Sequence, residues 1–365
     1  MAKHISVLIK PASSLCNLRC RYCFYHDISE NRTIASTGIM KEEVMEKLIA
    51  RISEELNENG TASISFQGGE PTMAGLPYFR RFTETVRRYP NIKPQYSIQT
   101  NATLLDEEWT AFFKENAFLV GVSLDGYQTN MDEFRYDPLK RGVFYKVLKG
   151  IDLLGKAGVD YNILTVVTAQ LARHPDALFR FYKSHNFEYI QLIPCLPGLN
   201  EENNEMALTP ELYASFYKDF FKVWNDDFIK TGKPLNINLF ENIAAMLEGY
   251  PPYQCGMLGR CSQQFVIEAN GDVYPCDFYC LDEVRLGNLL DSSFKELRQT
   301  QTAVSFIASS DCKKKPCETC RYVNICNGGC KRQNVCYLTD GYCGYQEVLD
   351  LIVPVLYQYI RQNRR

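Results

Sequence analysis

Six short β-rich runs recur through the first two thirds of this chain, at 5–9, 62–66, 95–99, 118–123, 161–168 and 189–194, with amphipathic stretches between them. In the first of those stretches Met45, Leu48, Ile49, Ile52 and Leu56 fall at i, i+3, i+4, i+7 and i+11, one face of a helix. Others run near 76–89, 105–116, 141–157 and 173–185. Repeated βα units imply a parallel sheet with helices outside it, and six of them suit a partial (β/α)6, TIM-like barrel. The rhythm stops near residue 205. The reading is therefore an α/β domain over 1–205, a helical connection over 206–250 and a second domain over 251–365. Helices are expected at 209–231 and 238–248 and an amphipathic one near 346–361. Tyr213, Phe216, Tyr217, Phe220, Phe221 and Trp224 on the first read as packing. Asn270-Gly271, between alternating runs at 264–277, signals a β-hairpin.

In parallel barrels ligands sit at the C-terminal rim of the strands. The unusual residues fall there, strand after strand: Gln67-Gly68-Gly69-Glu70-Pro71 after the second run, Gln99-Thr100-Asn101 after the third, Ser123-Leu124-Asp125-Gly126 after the fourth and Cys195-Leu196 after the sixth. After the first come Cys16, Cys20 and Cys23, spaced C-x3-C-x2-C. Thiolates this close suit zinc or an iron–sulfur cluster. Three is the informative number. A cubane has four irons, so three cysteines leave one iron open to a reactant, whereas closed structural zinc takes four protein ligands. His26 offers the rival Cys3His site.

The chain has 365 residues, 15 of them cysteine, and a formal net charge of −3. That balance argues against a broad grip on nucleic acid, and the basic end Arg361, Arg364, Arg365 reads as a solvated helix end. No run has the length of a membrane span or of a secretory apolar segment, so a cytoplasmic protein is expected. Thiols stay reduced there, which points the cysteines to metal or redox chemistry. The C-terminal third holds Cys255, Cys261 and Cys276, then Cys317-x2-Cys320-x5-Cys326-x3-Cys330, then Cys343. Eight cysteines can close two four-ligand sites; spacing alone leaves open which thiolate joins which, and whether the metal is zinc. Cys195, Cys280, Cys312 and Cys336 read as buried or spectator thiols. His4, His26, His174 and His185 are the only histidines, and none sits in a Ser–His or H-E-x-x-H context.

The C-x3-C-x2-C loop is the signature of radical S-adenosylmethionine (SAM) enzymes, and Cys261-x9-Gly271-x4-Cys276 with the later cysteines resembles the SPASM extension of that superfamily. Lys10-Pro11-Ala12-Ser13-Ser14, Tyr22-Cys23-Phe24-Tyr25-His26, Phe66-Gln67-Gly68-Gly69-Glu70-Pro71-Thr72 and Tyr274-Pro275-Cys276-Asp277-Phe278-Tyr279 make the chain similar to the anaerobic sulfatase-maturating enzymes within it. The resemblance implies a radical SAM barrel and a C-terminal SPASM domain with a hairpin and cysteine-rich loops. It implies three 4Fe–4S clusters, the second held by Cys255, Cys261, Cys276 and Cys330 and the third by Cys317, Cys320, Cys326 and Cys343. By the same likeness Tyr22, Gly69, Ser123, Arg135 and Leu196 contact SAM, and Asp277 is the proton acceptor.

The implied reaction is Cβ hydrogen abstraction by a 5′-deoxyadenosyl radical, converting a serine or cysteine of a sulfatase to Cα-formylglycine. Implied partners are a sulfatase polypeptide or peptide of Cys/Ser-x-Pro-x-Arg type and a reducing flavodoxin or ferredoxin, with no nucleic acid and no membrane. For Asp277 the bland alternative is an aspartate capping backbone at the hairpin end. For the whole chain the alternatives are a SPASM maturase that epimerises or crosslinks another ribosomal peptide, and a zinc-stabilised binding protein without catalysis. Such maturases often carry an added peptide-recognition domain, and no room for one is seen before Ile5.

Overall fold

The computed structural model describes residues 2–201, 204–311 and 313–363, so Cys312, Arg364 and Arg365 lie outside the described residues. Twelve strands run through it: β1 (Ala2–Ile9), β2 (Arg19–Cys20), β3 (Leu56–Phe66), β4 (Ile92–Thr100), β5 (Leu119–Ser123) and β6 (Arg135–Tyr136). Then follow β7 (Tyr161–Val167), β8 (Tyr189–Pro194), β9 (Asn236–Ile237), β10 (Phe265–Ile267), β11 (Asp272–Tyr274) and β12 (Gly287–Asn288). The chain forms two compact units, residues 1–123, 132–161 and 263–307 in the first and 124–131, 162–262 and 308–365 in the second.

In the first unit the strand order is β12-β11-β10-β1-β3-β4-β5. β3, β4 and β5 pair in parallel, joined by helices Leu76–Val86 and Glu107–Glu115, as crossovers between parallel strands require. The expected hairpin forms as β10 and β11. Less expected, β10 pairs in parallel with β1, with Val7 opposite Phe265, Leu8 opposite Val266 and Ile9 opposite Ile267. Under the sheet Phe66 meets Phe79 and Phe82 with ring centroids 4.9 and 5.0 Å away. Tyr96 stacks on Phe118 at 4.9 Å. Each buried phenyl group removed from water stabilises the fold by about 1.5–3 kcal/mol. β3 starts at Leu56, six residues before its apolar run, because Thr61 and Ala62 pair with His4 and Ile5 and the ladder reaches back to Ala2 opposite Leu56.

The second unit carries β7, β8 and β9 in parallel. Its long helix Pro210–Thr231 starts at Thr209, whose hydroxyl accepts the Leu212 N–H, with Pro210 in the first turn. The aromatic residues from Tyr213 to Trp224 are buried as packing groups, and Trp224 donates to the Leu235 carbonyl at 2.7 Å. By contrast, the cysteine-rich segment holds only short turns: Cys255–Met257, Lys315–Glu318, Val323–Cys326 and Asn334–Cys336. Among the described residues no helix is long and apolar enough to cross a membrane.

Candidate active site and cysteine clusters

In the first unit the loops after β1, β3 and β4 are tied to one another by hydrogen bonds. Leu15 offers its carbonyl to the Glu70 N–H at 2.8 Å. Gly69 makes this approach possible: at φ +52° a Cβ there would lie 2.2 Å from the Leu15 oxygen. The Glu70 carboxylate, 1% exposed, accepts from Thr72 and Thr100 hydroxyls at 2.6 and 2.7 Å and from the Asn101 N–H at 2.7 Å. Burial raises its pKa against those donors. Asn101 donates on to Asn17 at 2.9 Å, inside the cysteine loop. Arg19 grips that loop by donating to the Cys16 and Leu18 carbonyls.

Cys20 lies on β2, which pairs with β6 and sets Cys20 opposite Arg135. The Arg135 guanidinium, largely buried, donates to the Tyr22 hydroxyl at 3.0 Å, so two expected SAM contacts touch. Ser123 is buried at the end of β5. In the second unit Leu196 follows β8, half-buried. His26 faces solvent, 3.4 Å from Glu30.

Asp277 opens a short turn after β11 and ligand candidate Cys276. Among the described contacts it caps no backbone but meets three side chains. Oδ2 accepts from the Tyr25 hydroxyl at 2.6 Å and from the Gln67 amide at 3.4 Å. Oδ1 is buried without a hydrogen bond and lies 3.3 Å from the Lys10 ammonium. Burial, then the Asp277 charge, keeps Tyr25 far above the usual phenol range, hence a proton donor. Sequence reasoning assigned no role to Lys10, Tyr25 or Gln67, although each stands in a motif quoted for the resemblance. The usable signal was a lysine placed directly after an apolar strand.

The sulfurs divide by hydrogen bonding. Backbone N–H groups of Leu18, Tyr322, Arg332 and Gln346 donate to Cys16, Cys320, Cys330 and Cys343, each at 3.4 Å, and Gly328 donates to Cys326. Sulfurs that accept such bonds suit thiolate ligands, whose cluster potentials these bonds tune. Cys195, Cys280 and Cys336 donate to carbonyl oxygens, as thiols do, and Cys280 also accepts from the Lys10 ammonium. In the second unit Cys326 feels the charges of Cys343, Cys320 and Cys317, while Cys261 feels that of Cys330. Burial pushes both Cys16 and Cys326 up to about 11, so binding a metal there must release protons. Among the described residues no three His, Cys, Asp or Glu side chains close on a single ion. The donor set is made of soft thiolates, the chemistry that iron–sulfur clusters take. Two surface clefts of about 630 and 640 Å³, both in the second unit, are lined by none of these residues.

The Radical SAM superfamily model matches residues 11–181, and that of the SPASM iron–sulfur cluster-binding domain matches 255–321. Together with the α/β sheet they define a radical SAM enzyme that uses iron–sulfur clusters and S-adenosylmethionine. A cysteine-type anaerobic sulfatase-maturating enzyme of Clostridium novyi (strain NT) is 44% identical over 334 residues, 90% of this chain and 88% of the relative. A serine-type counterpart from Bacteroides thetaiotaomicron is 30% identical over 381 residues, 99% of this chain and 89% of its own. A solved structure of native anSMEcpe with bound AdoMet and Cp18Cys peptide superposes with a TM-score of 0.90 at 39% identity, covering 99% of this chain and 100% of the other. The chain belongs to the family of anaerobic sulfatase-maturating enzymes.

Proposed function

We propose that this enzyme oxidises a cysteine of a sulfatase polypeptide to Cα-formylglycine. The observation that carries the reading is the setting of Asp277, whose carboxylate meets side-chain donors on Oδ2 while Oδ1, without a hydrogen bond, lies beside the Lys10 ammonium at 3.3 Å. Cysteine is favoured over serine by the 44% identity to the cysteine-type relative against 30% to the serine-type one. Residues 1–205 take the radical chemistry, 206–250 the connection and 251–365 the auxiliary clusters.

In this reading Cys16, Cys20 and Cys23 hold one cluster and leave an iron open, with Tyr22, Gly69, Ser123, Arg135 and Leu196 around SAM. Cys255, Cys261, Cys276 and Cys330 hold a second cluster and Cys317, Cys320, Cys326 and Cys343 a third. The coupling of Cys261 to Cys330, and of Cys326 to the other three, supports that split. When bound, these groups supply a hydrogen-atom acceptor for the substrate Cβ and a sink for a second electron. Arg135 is suited to a carboxylate. Gly69 lets backbone come close. Asp277 takes the thiol proton at Oδ1. Loss of one hydrogen atom, one proton and one electron leaves a C=S bond, and water replaces the sulfur to give aldehyde and sulfide. A reducing flavodoxin or ferredoxin and a cytoplasmic setting complete the proposal.

The test is an anaerobic assay of iron-reconstituted protein with a Cys-x-Pro-x-Arg peptide and its serine twin. The cysteine peptide is expected to gain an aldehyde faster; the serine peptide should lose the mass of two hydrogens. Asp277→Asn should still release 5′-deoxyadenosine while aldehyde falls by about 10²–10⁴-fold. Release of 5′-deoxyadenosine with no carbonyl on either peptide would sink the reading.

A further inference from the structure

We propose that Lys10 is a positioning residue for this reaction, its ammonium fixing the Asp277 carboxylate so that Oδ1 faces the proton to be removed. The inference rests on the functional reading above. It starts from the sheet. Lys10 directly follows β1, and its N–H donates to the Ile267 carbonyl at 2.8 Å, so the β1–β10 pairing pins its backbone beside Glu268. Its stem lies against Gly68, where an added Cβ would come within 2.6 Å of Lys10 Cγ. The ammonium ends 3.3 Å from Asp277 Oδ1, 3.8 Å from Glu268 and 4.7 Å from the centre of the Tyr25 ring. Only 3% of the side chain is exposed.

Charge balance assigns this cation. Glu268 already has a buried partner in Arg32 at 2.7 Å. Asp277 has no other cation among its described ion pairs. A buried ion needs a counter-ion, and Lys10 is the counter-ion of Asp277. Burial works to strip the lysine proton, but the surrounding acids outweigh it and hold the ammonium charged. Cys280, the first of those neighbours, is buried and pushed up to about 12, so it stays a thiol at neutral pH. The two carboxylates are the charges that matter. An ammonium has three donors and no acceptor. Lys10 can therefore orient Asp277 but cannot take the proton in its place.

The experiment measures aldehyde formed per 5′-deoxyadenosine released, with iron content and the peptide KM, in wild type, Lys10→Met and Lys10→Arg. Lys10→Met should keep its iron, release 5′-deoxyadenosine and hold KM, while the aldehyde ratio drops about tenfold to a hundredfold, the scale of a misplaced reacting group. Lys10→Arg should recover most of that ratio. A wild-type ratio in Lys10→Met overturns the assignment, as does a drop that Lys10→Arg does not repair. Should Lys10→Met fail to accumulate, Lys10→Gln decides in the same assay: its amide can still bond Glu268 but brings no charge to Asp277. Failure of the wild type to form aldehyde defeats the functional reading and this inference with it. Aldehyde formation with the ratio unmoved in the Lys10 variants defeats only the inference.

Discussion

The cysteine loop after β1 and the cysteine-rich segments of the second unit are built on opposite principles. The first is braced by regular structure: β1, β3 and β4 end beside it, and Glu70 and Asn101 hydrogen-bond into it or its neighbours. The second is a chain of three- and four-residue turns. Even the shared device differs in setting. Gly69 at φ +52° lets backbone touch the Leu15 carbonyl, and Gly259 at φ +65° lets it touch Cys326, where a Cβ would lie 2.4 Å from the carbonyl oxygen. The loop after β1 is held by hydrogen bonds from the ends of the strands. If the proposed clusters are held in the second region, their ligand bonds take the place of strand ladders, and that region is expected to need its metal to keep its shape.

The largest effect should come from single cysteines. Cys16→Ala is expected to abolish SAM cleavage, whereas Cys320→Ala should keep it measurable while losing about four of roughly 12 irons. Equal loss of cleavage in both would break the contrast. Next, iron removal by chelation should strip amide protection from 255–262 and 313–343 and leave β1, β3 and β4 protected, read by hydrogen exchange. Uniform loss would mean that the sheet, too, depends on metal. Gly69→Ala and Gly259→Ala should each cost about 1–3 kcal/mol in denaturant unfolding of the loaded protein. In the metal-free protein only the Gly69→Ala cost should survive.

The smallest effect concerns Glu268. Burial would raise its pKa, but Lys10 and Arg32 together hold it below the usual carboxylate range. Its folded value lies under its unfolded one, so the pairing contributes fully above the ordinary carboxylate pKa and is lost as pH falls toward the folded value. Glu268→Gln should flatten the acid limb of the stability curve and leave its neutral-to-alkaline shape alone. An unchanged acid limb would remove Glu268 from that role.

Much of this was legible in one dimension. Strand runs such as 189–194 coincide with β8 (Tyr189–Pro194), and Asn270-Gly271 turns the hairpin between β10 and β11, because period-two alternation and turn chemistry are local. The early start of β3 at Leu56 was hidden, since Leu56 falls on the apolar face of the preceding helix and Asn57-Glu58-Asn59-Gly60 has no apolar alternation; the segment is extended only by its place beside neighbouring strands. The short β2–β6 pair was hidden for the same reason: two-residue strands have no pattern to read, yet this one sets Cys20 opposite Arg135.

Spacing and residue type by themselves determined that the chain alternates strands with helices and offers three thiols with room for an open metal corner, followed by further cysteines enough for two closed sites. Those are properties of neighbours along the backbone. Which sulfurs accept hydrogen bonds and which donate them, and the meeting of Lys10, Tyr25 and Gln67 at Asp277, were decided only by folding. The physical reason is the parallel pairing of β1 with β10, which joins residues more than 250 positions apart. A buried carboxylate takes whatever partners the sheet delivers, and no local pattern encodes that delivery.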